Sequence, residues 1–271
     1  MQGSEVTPWL QLEGRYTAKD PGEGQQAKGR RELVQKAKQA ARDAGNDLDR
    51  FFGVVVTMDR GTDLFGSAAR HAVCDTLSSL SQILQEVGHG FGLEHSRAVA
   101  NPIDYENPFC IMSGMTFGGD LTIPNNPSIR FSSPTFPDRF GDSGPGLCSP
   151  LLFKAGWITE SRIVRIATNG RMPAAVVITL SPLGEMNPLH PQVVMFGLNT
   201  PQDVTYFIEY RAGGWDRGLK QKSVVIHQLR PDGMAYYQNK LSIAGGFSIK
   251  TQVLQNSGTS LRDRLVELVS T

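Results

Sequence analysis

The chain has 271 residues, of which 39% are hydrophobic and 20% charged, and its formal net charge is +1. This balance does not indicate a phosphate-neutralising surface, so nucleic acid is not an expected partner. No apolar run approaches the roughly eighteen residues that a membrane span requires. The 29 glycines and 16 prolines argue against an all-helical fold, and the odd count of three cysteines argues against a disulfide scaffold.

The first part of the chain predicts a loop, one helix and one strand. Residues 18–30 are polar and glycine-rich, as is typical of a loop. Between Arg31 and Ala44, apolar residues recur at helical spacing, and Gly45 follows where a C-terminal cap belongs. The continuous apolar and β-branched segment 51–58 predicts a strand that is buried on both faces.

A second helix is predicted from a cap at Asp75 or Thr76 to Phe91. One face of this helix is apolar and consists of Leu77, Leu80, Leu84, Val87 and Phe91. The opposite face is polar and consists of Ser78, Gln82, Gln85 and His89. Glycines at positions 88, 90 and 92 are expected to end the helix.

The character of the sequence changes twice after this helix. Segment 102–150 is rich in Pro, Gly, Asn and Ser and predicts a long irregular loop, which in a compact domain is usually functional. Beyond Trp157, Gly, Pro or Asp turns separate seven strand-like segments: 161–168, 173–180, 192–198, 203–210, 223–229, 234–243 and 247–254. This spacing predicts an antiparallel sandwich, with a domain boundary near residue 159.

Residues typical of a catalytic metal site lie in the segment Gln85-Glu86-Val87-Gly88-His89-Gly90-Phe91-Gly92-Leu93-Glu94-His95. Positions 85 and 89 are four residues apart on a helix, so their side chains share a face and can converge on one ion. A turn at Gly92 would bring His95 back as a further ligand. Glu86 is placed to take a proton from the activated water as general base.

This segment resembles the metzincin signature H-E-x-x-H-x-x-G-x-x-H, with Gln85 in place of the first histidine. Segment 110–115, Cys-Ile-Met-Ser-Gly-Met, resembles the Met-turn of that clan, in which Met112 would lie beneath the metal. Looser similarity to the gametolysin-like metallopeptidases extends over segments 104–108, 151–157, 206–211 and 214–219. The last two segments also resemble the immune-inhibitor-A-like group.

The resemblance implies an α+β protein with two domains. Residues 1–158 would form a metzincin-like metallopeptidase domain with a twisted sheet and an active-site helix, and residues 159–271 an antiparallel β-sandwich. The implied function is a zinc-dependent endopeptidase, with zinc held by His89, His95 and, weakly or not at all, Gln85. The substrate would be a polypeptide that adds to an edge strand in segment 55–66. Secretion is implied as well, although the first residues show no signal peptide.

Gln85 leaves a second function open. An amide oxygen is a harder and weaker zinc ligand than an imidazole nitrogen. Loss of a residue that only supports a ligand typically reduces affinity or activity about 10–100-fold, and loss of a ligand is expected to do at least as much. The alternative is a catalytically dead pseudopeptidase that keeps the cleft and the sandwich to bind a protein or a glycan. The sequence does not disclose whether Gln85 is the native residue, the cleavage specificity or the oligomeric state.

The remaining polar candidates have simpler explanations. The three cysteines are Cys74, Cys110 and Cys148, of which the last two flank the irregular segment and are either bridged or free. Three acids in that segment are candidate calcium ligands, although their spacing matches no EF-hand: Asp104, Glu106 and Asp120. Three histidines are expected to be structural: His71, His190 and His227.

Overall fold

The computed structural model describes residues 3–14, 23–76, 78, 80–113, 121–122, 130–131, 145–167, 178–197, 204–212, 216, 222–242, 247–250 and 267–270. These residues form a mixed α+β protein of two compact units, the first ending at Glu94 and the second beginning at His95. The division therefore differs from the expected boundary between residues 158 and 159. Within the described residues, no helix is both long and apolar enough to cross a bilayer.

The first unit contains two helices and a three-stranded sheet. The elements are α1 (Glu23–Asp43), β1 (Val55–Met58), β2 (Gly66–Ala68), β3 (His71–Asp75) and α2 (Leu80–Gly90). The strand order is β1-β3-β2, with β1 parallel and β2 antiparallel to β3. Its core contains Leu33, Val34, Val56, Leu64, Ala68 and Val73.

Helix α1 begins eight residues before the expected start at Arg31, so part of the segment assigned to a loop is helical. Gly45 has a φ of +85°, as expected of the residue that ends a helix. Strand β1 differs from its prediction because it is an edge strand with one buried face. Val56 is buried, whereas Val55 and Thr57 are exposed.

Helix α2 buries a different face from the predicted one. Its buried residues are Ser81, Gln85 and Gly88, which follow one another at intervals of four and three residues. The described members of the predicted apolar stripe, Leu80, Leu84, Val87 and Phe91, are only half-buried, and Leu77 lies outside the described residues. Ser81 and Gly88 are small, so α2 can lie close to β2 and β3. The contact with these strands determines which face of α2 is buried.

The second unit is built on one six-stranded sheet. Its strands are β4 (Arg97–Ala98), β7 (Ile163–Ala167), β8 (Val193–Gly197), β9 (Thr205–Arg211), β10 (Ser223–Leu229) and β11 (Ala235–Ser242), in the order β4-β11-β10-β9-β8-β7. The sheet is antiparallel at its centre, but both outer pairs, β4 with β11 and β7 with β8, are parallel. Two further pairs are β5 (Leu121–Thr122) with β6 (Arg130–Phe131) and β12 (Phe247–Lys250) with β13 (Glu267–Ser270).

This sheet corrects the prediction of a purely antiparallel sandwich. Five predicted strands correspond to β7–β11, but in the described residues they join one mixed sheet rather than two facing sheets. Of the predicted strand 173–180, residues 173–177 lie outside the described residues and residues 178–180 are not in a strand. Alternate side chains of β8 and β9 enter two apolar clusters, one with Val194 and Ile208, the other with Met195 and Phe207.

Helix α3 (Ser149–Lys154) contacts β9 and β10 of this sheet. It therefore belongs to the second unit, although it precedes the expected boundary at residue 159. A buried ion network fixes the segment that precedes α3. Arg211 lies 3.1 Å from a carboxylate oxygen of Glu209 and 2.8 Å from one of Asp216, and these three side chains are at most 2% exposed. The guanidinium also donates to the carbonyls of Gly146 and Leu147, and Glu209 accepts from the Ser149 amide at 2.6 Å.

Replacing Arg211 by methionine should destabilise the second unit by about 3–5 kcal/mol, because two buried carboxylates would lose their cation. The matched control is Arg165→Met, which removes an arginine whose ion pair with Glu160 is exposed. Denaturant unfolding followed by circular dichroism measures both variants. Equal effects of the two substitutions would contradict the importance of the network.

His227 gives this unit a distinctive pH dependence. Burial, together with the charge of Arg211, lowers the pKa of the fully buried ring well below its usual value. The unfolded chain takes up a proton below about pH 6.5 that the folded chain rejects, so this contribution to stability is lost as the pH falls. Burial raises the pKa of Glu209 and Asp216 in the folded state, which acts in the opposite direction.

The effect of His227 is therefore measured as a difference between parent and His227→Gln. Between pH 6.5 and pH 5, we expect the parent to lose up to about 1.4 kcal/mol per pH unit more than the variant. Unfolding curves in urea at several pH values test this, with exposed His190→Gln as the control. Parallel pH profiles for the parent and His227→Gln would show that the buried ring is not held neutral.

Candidate metal centre

Helix α2 carries three residues of the predicted site. Gln85 is 7% exposed and lies on the buried face, while Glu86 and His89 are half-buried. The helix ends as predicted, because Gly92 adopts a φ of +77°. The Gly92 amide donates to the carbonyl of His89 at 2.9 Å, and the Leu93 amide donates to that of Gly88 at 3.2 Å. The chain thus turns away from the helix axis three residues before His95.

Each histidine of the motif has its Nδ1 atom next to a hydrogen-bond acceptor. In the first unit, His89 Nδ1 lies 2.7 Å from the carbonyl oxygen of Leu93. In the second unit, His95 Nδ1 lies 3.0 Å from a carboxylate oxygen of Asp104. Both contacts place a proton on Nδ1, and in the tautomer with that proton the lone pair is on Nε2. Metal-binding histidines characteristically have their other nitrogen held in this way.

Asp104 is a functional candidate that the sequence assigned to calcium instead. Its second oxygen accepts a hydrogen bond from Arg97 Nε at 2.8 Å. Partial burial opposes ionisation of Asp104, but hydrogen bonds from His95 and Arg97 lower its pKa below the usual value. The carboxylate therefore orients the imidazole of His95. Asp104 follows His95 by nine residues. Such a spacing is too common in sequences to predict the contact between the two side chains.

The other two calcium candidates have different surroundings. Glu106 is fully buried, with one carboxylate oxygen 3.0 Å from the amide of Asn101 and no hydrogen-bond partner for the other. Asp120 lies outside the described residues. No described group of three or more His, Cys, Asp or Glu side chains is arranged to hold a metal ion. Calcium binding stays a prediction.

The predicted Met-turn adjoins the segment that carries His95. Met112 is fully buried in a 3₁₀ turn, Ile111–Ser113, and its carbonyl accepts from the Ser96 amide at 3.3 Å. Ser113 Oγ donates to the Ser96 carbonyl at 2.7 Å. Asn107 donates to Ser96 Oγ at 2.7 Å. The residue that follows His95 is thus hydrogen-bonded to Met112 and to the next residue, Ser113.

Tyr105 closes the loop between His95 and this turn. Its ring contacts the imidazole of His95, with 4.1 Å between the ring centroids. Its amide donates to the Ser96 carbonyl at 3.1 Å, and its φ of +70° is unusual for a residue with a side chain. These contacts and Asp104 together define the position of the His95 ring within the second unit.

Arg30 is a further residue near the predicted general base. Its guanidinium donates to the carbonyls of Leu64, Phe65 and Ser67. Burial lowers the pKa of Arg30, and the opposite charge of Glu86 acts against that shift. Arg30 therefore places a fixed positive charge near the Glu86 carboxylate. The helix prediction did not indicate it, because the contact depends on tertiary structure.

The three cysteines are free and buried. Burial, reinforced by the charges of Glu86 and Asp75, raises the pKa of Cys74 to about 12. The thiols of Cys110 and Cys148 are hydrogen-bonded to each other. Burial opposes ionisation of Cys110, yet this hydrogen bond and that from the Met112 backbone lower its pKa. In this structure the pair is reduced, with no bridge between the two sulfur atoms.

Removing the carboxylate with Asp104→Ala should release the Nδ1 proton of His95. In the metal-free protein, ¹⁵N NMR of the imidazole is expected to show mainly the Nδ1–H form in the parent and a mixture of tautomers in the variant. Zinc affinity, measured by competition with a chromophoric chelator, should fall about 10–100-fold. Asp104→Asn should restore part of both, because its amide oxygen can still accept, and exposed Glu94→Gln serves as the control. An unchanged tautomer in Asp104→Ala would refute the orienting role.

Comparison with known proteins adds no relative. No protein-family model matches the chain, and neither the search of curated proteins nor the search of solved structures found a match. The metzincin-like signature is therefore a resemblance of residues and spacing. Function has to be argued from that signature and from the contacts of the motif's side chains.

Proposed function

We propose that this protein is a zinc-dependent endopeptidase that uses His89 and His95 as zinc ligands and Glu86 as general base. The observation that carries the proposal is the occupation of both Nδ1 atoms by acceptors, at 2.7 Å for His89 and 3.0 Å for His95. This arrangement supports coordination through Nε2 in both rings. Gln85, at the position of the missing histidine, offers an amide oxygen as the third donor.

Zinc in such a site would supply a Lewis acid that lowers the pKa of water and polarises the scissile carbonyl. The chain's own residues would then handle the protons. Glu86 would accept a proton from the attacking water and return it to the leaving amine nitrogen. Arg30 would keep a positive charge near this carboxylate, and Asp104 would hold the ring of His95. Met112 would help to position His95 through the hydrogen bond between its carbonyl and the Ser96 amide.

The proposal includes a metzincin-like arrangement of the first unit and a polypeptide substrate. Its support is the edge position of β1, whose described neighbour in the sheet is β3 on one side. An extended peptide could pair with the outer edge of β1 through main-chain hydrogen bonds. Exposed Val55 and Thr57 would then contact alternate side chains of the substrate. Secretion remains part of the proposal on the strength of the family resemblance.

A pseudopeptidase is the second candidate, and the burial of Gln85 favours it. This side chain is 7% exposed and belongs to the face of α2 that packs on the sheet. A buried amide there can serve packing rather than coordination, which leaves two imidazoles as the zinc ligands. The protein would then bind a polypeptide or a glycan without cutting it.

Metal analysis of the parent and of Gln85→His separates the two functions. If the endopeptidase proposal holds, the purified parent contains one zinc per chain and cleaves casein. Gln85→His should then bind zinc at least tenfold more tightly, because imidazole is a better zinc ligand than an amide. A parent that lacks metal and activity, with a variant that gains both, would identify a degenerate peptidase.

The control is Glu86→Gln, made in whichever form binds zinc. It should keep the metal and lose at least about 100-fold in kcat, because a neutral amide cannot accept the proton. Failure of both the parent and Gln85→His to bind zinc would exclude a peptidase site in this chain. Retention of activity by Glu86→Gln would exclude this carboxylate as the base.

A further inference from the structure

A small cavity of about 120 Å³ lies in the first unit, outside the proposed zinc site. Its polar walls come from the end of α1, from the segment before β1 and from the turn between β2 and β3. Four basic side chains and one acid line these walls: Lys38, Arg42, Arg70, His71 and Asp49. The cavity therefore concentrates positive charge in a space that fits a small ligand.

The hydrogen bonds of His71 indicate which kind of ligand group the cavity can bind. The amide of Val54 donates to Nδ1 of His71 at 3.1 Å, so Nδ1 holds the lone pair. The neutral ring then carries its proton on Nε2. Lys38 Nζ lies 3.4 Å from this Nε2 atom, and an ammonium group is a donor only. Two donors thus face each other, and neither satisfies the other.

The protonation state of His71 agrees with this geometry. Burial, together with the charges of Lys38 and Arg70, lowers the pKa of the ring, so it is neutral near pH 7. An acceptor that reaches both Lys38 Nζ and His71 Nε2 would satisfy the pair. An anionic acceptor would in addition offset the crowding of positive charge in the cavity.

The charge balance favours a doubly charged anion. Arg42 lies 3.3 Å from Asp49, which neutralises one of the three permanent cations. Lys38 and Arg70 remain as an excess of two positive charges around the cavity. The guanidinium of Arg70 lies over the ring of Phe52, 5.7 Å from its centroid, which places this cation beside the cavity.

The cavity walls are held by the backbone. Gly53 lies so close to Arg70 that a Cβ atom there would come within 2.0 Å of the Arg70 carbonyl oxygen. The Ala72 amide donates to the Val54 carbonyl at 3.0 Å. Phe52, which is 44% exposed, stacks on Phe91 with 4.4 Å between ring centroids. The segment around Gly53 and the segment that carries Arg70 and His71 are therefore held against each other.

We propose that this cavity is a binding site for a phosphate group, held by Lys38 Nζ and His71 Nε2 with Arg70 and Arg42 at its rim. A tetrahedral dianion matches both the excess charge and the converging donors. The group is either inorganic phosphate or the phosphoryl end of a larger molecule. Phe52 contacts Phe91 and Arg70 but is still 44% exposed, and this remaining apolar surface could contact the rest of a phosphate monoester.

The test is an NMR titration of the full chain at pH 7, at constant ionic strength maintained with chloride. We expect inorganic phosphate to shift the imidazole signals of His71 in a saturable manner. Lys38→Gln should weaken binding about tenfold or more, because it removes a hydrogen bond to a charged group. The matched control is Lys28→Gln, which removes the same charge from an exposed position on the same helix.

Phenyl phosphate, titrated in parallel, distinguishes the two sources of the phosphate group. Tighter binding than inorganic phosphate would identify a monoester of a larger molecule, and equal binding would identify the free anion. The absence of a saturable shift for both probes would overturn the proposal. Equal weakening by Lys38→Gln and Lys28→Gln would overturn it too, because the effect would then be general electrostatic attraction. The outcome is independent of zinc and of peptidase activity.

Discussion

The second unit depends on one buried cation, Arg211, placed between two carboxylates that would otherwise be unpaired. Glu209, one of these carboxylates, has an oxygen 3.5 Å from His227 Nδ1, and His227 Nε2 lies 3.3 Å from the side-chain oxygen of Asn107. Asn107 in turn donates to Ser96, the neighbour of His95. A continuous polar path therefore leads from the centre of the sheet to the backbone beside a proposed zinc ligand. The groups on this path are buried, and His227 Nδ1 and Arg211 Nε are the atoms among them without a hydrogen-bond partner in the described residues.

A different principle organises the first unit, where small side chains set the packing. Ser81 and Gly88 let α2 approach the sheet, Gln85 lies between them on the same buried face, and part of the more apolar stripe stays exposed. The same packing places Glu86 and His89 at the margin of the buried face. Gln85 is consequently a packing residue that also stands at the position of the first histidine in the resembling signature. This double position of Gln85 is the reason that both an endopeptidase and a pseudopeptidase are proposed.

Local sequence patterns predicted much of the fold and the members of the candidate site. Helical spacing located α1 and α2, and short apolar segments located β7–β11. The motif identified Glu86, His89 and His95, and their role as a zinc site stays a prediction. The patterns failed where distant residues decide the outcome. The parallel pairing of β4 with β11 joins segments almost 140 residues apart, and no local periodicity can reveal such a pairing.

The same limit applies to single side chains. The phosphate cavity combines Lys38 from α1 with His71 from β3, and each looks ordinary in its own segment. Asp104 became a candidate for His95 only when the loop between them was seen to fold back. The expected domain boundary near residue 159 met the same limit. Helix α3 precedes this residue in the chain but contacts strands that follow it.

The left-handed backbone at Tyr105 has a consequence for the dynamics of the second unit. A non-glycine residue in that conformation is about 1–2 kcal/mol above its relaxed state. The loop that delivers Asp104 to His95 is therefore held under tension by its contacts with Ser96 and the imidazole. The position of the His95 ring therefore depends on contacts that must offset the conformational cost of Tyr105.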